Sequence, residues 1–249
     1  ARQLVGTAGG RGANGTMSPI KFSHYFWILL FFTTIISAQE YEKINGAWNA
    51  VFFDYGLNKK LSFRSEFHLR TVSFLDVWDQ QIFRPSITYS KSKNLKWTAG
   101  YSFIKNFNSN VSSIPRVRRE HNLWEQLVYN TLLKKGLISS RLRLEHRFQE
   151  TPPLQENRSL GKFTFSSRIR YRFTYQHLLT QSDVKVPINL VFFDELFVFL
   201  NPNGTPYRFN QNWTFLGFKI QFNKKLVLSA GYQKITFKRS DNDYFKNRL

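Results

Sequence analysis

The sequence predicts an all-β fold, an antiparallel up-and-down transmembrane β-barrel of about ten to twelve strands behind a cleavable signal peptide. Three observations predict it. Aromatic residues make up 17% of the 249 residues, with 26 Phe and 11 Tyr against one Met and no Cys. Such side chains pack well on a pleated sheet. Apolar and charged residues alternate with a period of two along several segments of the chain, the pattern of a strand with two unlike faces. An apolar run near the N-terminus has the form of an export signal.

Residues 1–16 are rich in Gly and Ala, show no hydrophobic period and precede the only methionine, Met17. They read as upstream sequence foreign to the fold. From Met17 the chain runs through the basic Lys21, an apolar stretch over 25–36, and the small residues Ser37 and Ala38. That order is a signal peptide over 17–38, with cleavage expected after Ala38. The apolar stretch is too short to span a hydrocarbon layer of about 30 Å, which takes roughly 20 residues. The barrel domain is therefore expected over 39–249, in a bacterial outer membrane.

Strands are predicted at about 47–56, 61–71, 80–90, 95–104, 120–133, 137–148, 163–176, 188–200, 207–221 and 226–237. Within 61–70, Leu61, Phe63, Phe67 and Leu69 alternate with Arg64, Glu66, His68 and Arg70. Within 137–148, Ile138, Leu142, Leu144 and Phe148 alternate with Arg141, Arg143, Glu145 and Arg147. Within 163–175, Phe163, Phe165, Ile169, Tyr171 and Phe173 alternate with Arg168, Arg170 and Arg172. A soluble sandwich alternates too, but its strands usually run about five or six residues, and these are long enough to cross a membrane at a tilt. Closing the sheet removes edges that lipid would leave without hydrogen bonds.

Tight hairpins are expected at Asn58-Lys59-Lys60, Ser92-Lys93-Asn94, Lys134-Lys135-Gly136 and Asn223-Lys224-Lys225, each holding a turn former beside lysine. Longer connections at 105–118, 149–162, 201–206 and after 237 alternate with them, the asymmetry of barrels whose short turns face the periplasm. Two segments fit the pattern poorly. Residues 188–200 are apolar on both faces around Asp194 and Glu195, and residues 207–222 change phase near Leu216, where a β-bulge is expected. The chain ends in polar sequence after Tyr244 and Phe245, so the closing C-terminal strand is expected to be lacking.

A set of short motifs carries a resemblance. Trp48, Tyr55-Gly56, Gln80-Gln81, Arg84-Pro85, Tyr89, Ala99-Gly100-Tyr101, Trp124-Glu125-Gln126, the segment 141–148, the segment 168–172, Asp194-Glu195-Leu196-Phe197 and Ala230-Gly231-Tyr232 stand in this order. In order and spacing over about residues 44–237 the chain resembles the Bacteroidota outer-membrane barrel family catalogued as domain of unknown function 2490. The resemblance implies an outer-membrane β-barrel and carries over no activity, ligand or catalytic residue. Residues 95–101 and 226–232 also echo one another within the chain.

Charge decides between function classes by where it sits. The formal net charge is +20, which would suit a phosphate-binding surface. Here the arginines share one face of strands whose other face is aromatic, and the lysines gather in turns, so nucleic acid is excluded as a partner. The expected lumen network comprises Arg64, Glu66, His68, Arg70, Arg84, Arg141, Arg143, Glu145, Arg147, Arg168, Arg170, Arg172 and Glu195. Such residues cannot face lipid, where a mid-membrane arginine costs about 2–4 kcal/mol. A structural Arg/Glu network, with a structural or surface-interaction role for the protein, is the first reading. A narrow anion-favouring channel or porin passing small anionic solutes is the alternative. An outer-membrane lipid hydrolase is a third, since His121, His146 and His177 lie near strand ends, but no Ser/His/acid set has a diagnostic spacing. The protein is read as no enzyme, with no metal site and no cofactor. Its expected partners are outer-membrane lipid and the barrel-assembly machinery during insertion.

Overall fold

Residues that alternate between two environments belong in a sheet with two unlike faces, and the computed structural model holds one twelve-stranded sheet. The structure describes residues 41–107, 117–151, 162–180, 184–200, 208–238 and 245–248. The expected upstream and signal segments, and most of the long connections, lie outside the described residues.

The strands in chain order are β1 (Tyr41–Ile44), β2 (Gly46–Gly56), β3 (Leu61–Val72), β4 (Val77–Ser90), β5 (Leu95–Asn106), β6 (Arg118–Leu133), β7 (Gly136–Glu150), β8 (Phe163–Leu178), β9 (Ile188–Leu200), β10 (Arg208–Gln221), β11 (Val227–Lys238) and β12 (Phe245–Arg248). β2 to β11 are the ten predicted strands, and each pairs antiparallel with the next in sequence. No helix of the described residues is long and apolar enough to cross a membrane, which leaves crossing by strands open.

The sheet curls back to where it starts. Its order begins at β1 and ends at β2, and only Asn45 separates those two in the chain. β12 pairs antiparallel with residues 235–238 of β11 and parallel with β1. The parallel pairing follows from counting: ten antiparallel steps from β2 return the chain to the direction of β2. A closing strand is thus present but only four residues long. Among the described residues, 227–234 of β11 and the facing edge of β2 have no strand between them.

Three short turns share one device. The Asn58 side-chain oxygen accepts from the backbone N–H groups of Lys60 and Leu61, both at 2.8 Å. Ser92 Oγ accepts from Asn94 at 3.2 Å and Leu95 at 3.0 Å. Asn223 Oδ1 accepts from Lys225 at 2.8 Å and Leu226 at 2.9 Å. Each time a short polar side chain satisfies two turn donors, and leucine opens the next strand or stands just before it. At the other end, β3 and β4 join through Ser73 and Phe74, whose φ angles of 50° and 67° lie in the left-handed region. The Ser73 N–H donates to the Asn45 carbonyl at 2.9 Å, and Thr71 Oγ1 donates to the Phe74 carbonyl at 2.5 Å.

The two ill-fitting segments resolve differently from expectation. The bulge in β10 falls between Phe209 and Gln211 rather than near Leu216. Beyond it the register is regular, and what changes at Leu216 is which face is apolar. A second irregularity, between Arg70 and Thr71, shifts β3 against β4. In β9 the inward Phe193, Phe197 and Phe199 lie under arginines, so aromatic residues there serve a polar interior.

Burial is inverted relative to a water-soluble domain. The buried apolar residues among those described are Val72, Ile82, Ile104, Trp124, Phe197 and Trp213. The buried polar ones are more numerous and include Glu66, His68, Glu120, Arg143, Glu145, Arg147, Arg168, Arg170 and Glu195. The outer face exposes Val51, Phe53, Phe67, Ile87, Trp97, Leu123, Leu127, Leu142, Tyr171, Leu216 and Phe218.

Candidate functional site

The site is the inner face, and its centre is built from β7, β8 and β9. Glu145 on β7 is directly opposite Arg168 on β8, and Glu195 on β9 is opposite Arg172. Arg168 donates to Glu145 Oε2 from Nε at 3.0 Å and from Nη2 at 2.5 Å. Arg170 donates from Nη1 to Glu145 Oε1 at 2.6 Å and from Nε to Glu195 Oε1 at 2.7 Å. Arg172 donates to Glu195 Oε2 from Nε at 2.8 Å and also from Nη2. Arg141 reaches across β8 to Glu195 Oε1 at 2.5 Å. Glu195 has no solvent-accessible surface and Glu145 only 2%. Charges can be held so deep only when paired and hydrogen-bonded in this way.

Aromatic rings form the floor on which the guanidinium groups lie. Arg172 sits 3.9 Å from the Phe193 ring centroid, Arg170 4.3 Å and Arg168 4.9 Å from that of Phe197. A guanidinium plane is weakly hydrated and stacks on such faces, which lysine would do less well. Arg143 lies 4.0 Å from the Trp124 ring and donates to Gln126 Oε1 from Nε at 3.0 Å and Nη2 at 2.7 Å. The Trp124 indole in turn donates to Ser102 at 3.0 Å. A Cβ placed on Gly100 would stand 2.3 Å from the Trp124 ring, so the glycine makes the seat for the indole. The echoing segment does the same: a Cβ on Gly231, or on Gly217 opposite it, would come within 2.6 Å of the Phe215 ring. That ring stacks on Phe193 at 5.1 Å.

A second group of residues lies toward β2, β3 and β4. Glu66 accepts from Arg84 Nη1 at 3.0 Å, and Arg84 Nε donates to Ser102. The Trp48 indole donates to His68 Nδ1 at 2.9 Å, and the other ring nitrogen of His68 is 3.0 Å from Glu66. With Nδ1 accepting, Nε2 carries the proton and donates to Glu66. Arg70 stacks on Trp48 at 3.6 Å, lies 5.0 Å from Trp213, and donates to Gln80 at 2.7 Å. Trp48 and Trp213 meet edge to face at 5.2 Å, which brings β2 against β10 across the seam.

The predicted network is therefore brought together with one exception. Arg64 is on the inner face by register, yet it lies outside the buried cluster. Its side chain is 47% exposed and pairs with Asp54 at 2.6 Å near the short turn. Arg70 is inward, stacks on aromatic rings and donates to Gln80. The sequence reading missed Glu120, which accepts from Arg147 at 2.8 and 3.0 Å. It also missed the stacking partners Trp48, Trp124, Trp213, Phe193 and Phe197. Extending the alternation of β6 back from Trp124 through Asn122 would have found Glu120.

The outer face is not wholly apolar. Glu125 shares it with Leu123 and Leu127, and Asp194 accepts there from Asn212 at 3.0 Å and Thr214 at 2.9 Å. At the end where long connections leave, Arg119 clasps Glu150 through Nε at 2.9 Å and Nη2 at 2.7 Å. The histidines bond neighbours within the wall: His121 with Tyr101 at 2.6 Å, His146 with Ser167 at 3.1 Å and His177 with Tyr175 at 3.1 Å. Among the described residues, no group of three His, Cys, Asp or Glu could hold a metal ion.

No curated protein and no solved structure matches the chain. One family does match, over residues 45–246, which takes in every strand from β2 to β11, and the chain belongs to that family, described as protein of unknown function (DUF2490).

Proposed function

We propose that the chain is an outer-membrane β-barrel protein with its lumen closed by the Arg/Glu network, serving a structural or surface-interaction role through its long connections. The observation that carries this reading is the inverted burial. Ionised side chains fill the interior while Phe, Leu, Trp and Val stand on the outside, an arrangement stable only where the exterior solvent is hydrocarbon. Strands of 11 to 16 residues support it, since about 9–11 tilted residues cross a bilayer. Outer-membrane lipid and the assembly machinery are the partners this requires. The protein is not assigned an enzymatic role: His146 and Ser167 are cross-strand neighbours, which accounts for their contact.

The excess of guanidinium over carboxylate groups in the lumen favours a second reading, a narrow anion-selective channel. Two measurements on the purified full chain test the first. Unheated protein is expected to migrate differently from boiled protein on a detergent gel. In planar bilayers it is expected to be electrically silent, as a lumen closed by the central groups requires. Steady anion-selective current would sink the closed lumen in favour of the channel, and identical migration would sink the barrel.

A further inference from the structure

We infer that the half of the lumen on the short-turn side is a dead-ended pocket that binds a phosphate- or carboxylate-bearing solute, a proposal that rests on the closed-lumen reading above. Exposure of the arginines sets the direction. Along β7 the side chain of Arg143 is 4% accessible and that of Arg141, one step nearer the short turn, is 16%. Along β8 the values are 5% for Arg170 and 21% for Arg172. The interior thus opens more toward the lysine-bearing turns than toward the other end, where Arg147 and Arg168 are each 10% accessible, and Arg141 and Arg172 are its floor on the turn side. They are cross-strand partners, two like charges face to face, and the carboxylate they share, Glu195, is also held by Arg170.

Charge in the deep network above which this half opens is not balanced by carboxylates of the protein. The deep network holds seven arginines, Arg84, Arg141, Arg143, Arg147, Arg168, Arg170 and Arg172, against four carboxylates, Glu66, Glu120, Glu145 and Glu195. Among the described residues, Arg141 Nε and Arg143 Nη1 are buried with no hydrogen-bond partner, and a Glu145 oxygen lies 3.7 Å from the latter. Moving toward the short turns, strand alternation turns Lys96 and Lys219 inward as well, on the same faces as the buried Thr98 and Trp213. The inward carboxylate of this half, among the described residues, is Asp54, and Arg64 already takes both of its oxygens at 2.6 and 3.0 Å. Beyond the mouth stand Lys59, Lys60, Lys91, Lys93, Lys134, Lys135, Lys224 and Lys225 in the turns. Positive charge therefore lines the inner face of this half from rim to floor. Low-dielectric walls focus such a field and concentrate anions, and a planar guanidinium presents paired donors to an oxyanion.

The test uses purified full chain in detergent, with inorganic phosphate and citrate as probes, titrated at constant ionic strength. Saturable binding is expected. Lys96→Gln and Lys219→Gln leave the central network intact and are each expected to weaken binding by about three- to tenfold. Heat-modifiable migration confirms that these variants keep their fold. Absence of saturable binding, or binding unchanged in both variants, overturns the pocket. The bilayer measurement separates this from failure of the closed lumen: phosphate current that both lysine variants reduce would mean the anion passes through instead of stopping at the floor.

Discussion

Arg170 joins Glu145 to Glu195, with its Nη1 on one carboxylate at 2.6 Å and its Nε on the other at 2.7 Å. Neither carboxylate depends on it alone. Glu145 keeps Arg168, and Arg143 at 3.7 Å, if Arg170 is removed, and Glu195 keeps Arg141 and Arg172. Loss of Glu195, by contrast, takes from Arg141 and Arg172 the carboxylate that pairs them and leaves Arg170 with Glu145 alone. Breaking a buried pair from one side costs about 3–5 kcal/mol. Glu195→Gln is expected to lower the unfolding free energy by that amount and Arg170→Gln by clearly less, as read by urea unfolding in lipid. Equal losses from the two would contradict the assignment of Glu195 as the hub.

Gly100 and Trp124 form a steric pair. Gly100→Ala pushes a methyl group into the indole and should cost about 1–3 kcal/mol through overpacking. Trp124→Leu removes the obstacle, so the double variant should lose less than the sum of the single losses. Strict additivity in the same unfolding assay would show that the indole does not occupy the glycine seat.

Glu125 tests the outer face. On the proposed outer-membrane reading, an acid among Leu123, Leu127 and Leu144 meets hydrocarbon unfavourably, and Glu125→Leu is expected to stabilise the protein in bilayers by about 1–2 kcal/mol. Destabilisation would mean that this side chain meets a polar partner instead of lipid.

Turn chemistry gives a smaller effect. Asn58→Ala and Asn223→Ala each remove an acceptor shared by two backbone donors, at an expected cost of about 1 kcal/mol. Arg64→Gln, which breaks an exposed ion pair, should cost under about 1 kcal/mol and lose even that in high salt. A cost for Arg64→Gln as large as that for Glu195→Gln would place Arg64 in the buried cluster.

The ten long strands and the inward set on β3, β7 and β8 were legible because charge and apolarity alternate there without interruption. β9 was illegible for a physical reason: Phe193, Phe197 and Phe199 face inward to support guanidinium planes, so both faces read as apolar. β10 misled in the opposite way. Asn212 and Thr214 serve Asp194 on the outside while Trp213 and Phe215 fill the inside, and a change of polarity looked like a change of register. The isolation of Arg64 depends on depth along the barrel axis, which a period of two does not encode. The role of the Ala-Gly-Tyr echo appears only once the cross-strand neighbour of each glycine is known.

The arginine run of β8 has a consequence for how the wall finds its alignment. Arg168, Arg170 and Arg172 occupy successive inward places, so sliding β8 by two residues keeps its aromatic face outward and still presents arginine to the centre. These three side chains are interchangeable by translation and cannot by themselves select the native alignment. That choice falls to the unrepeated neighbours, Glu145 on one side, Glu195 on the other and the Phe197 ring beneath, where a slip would leave a carboxylate facing serine or threonine in place of guanidinium.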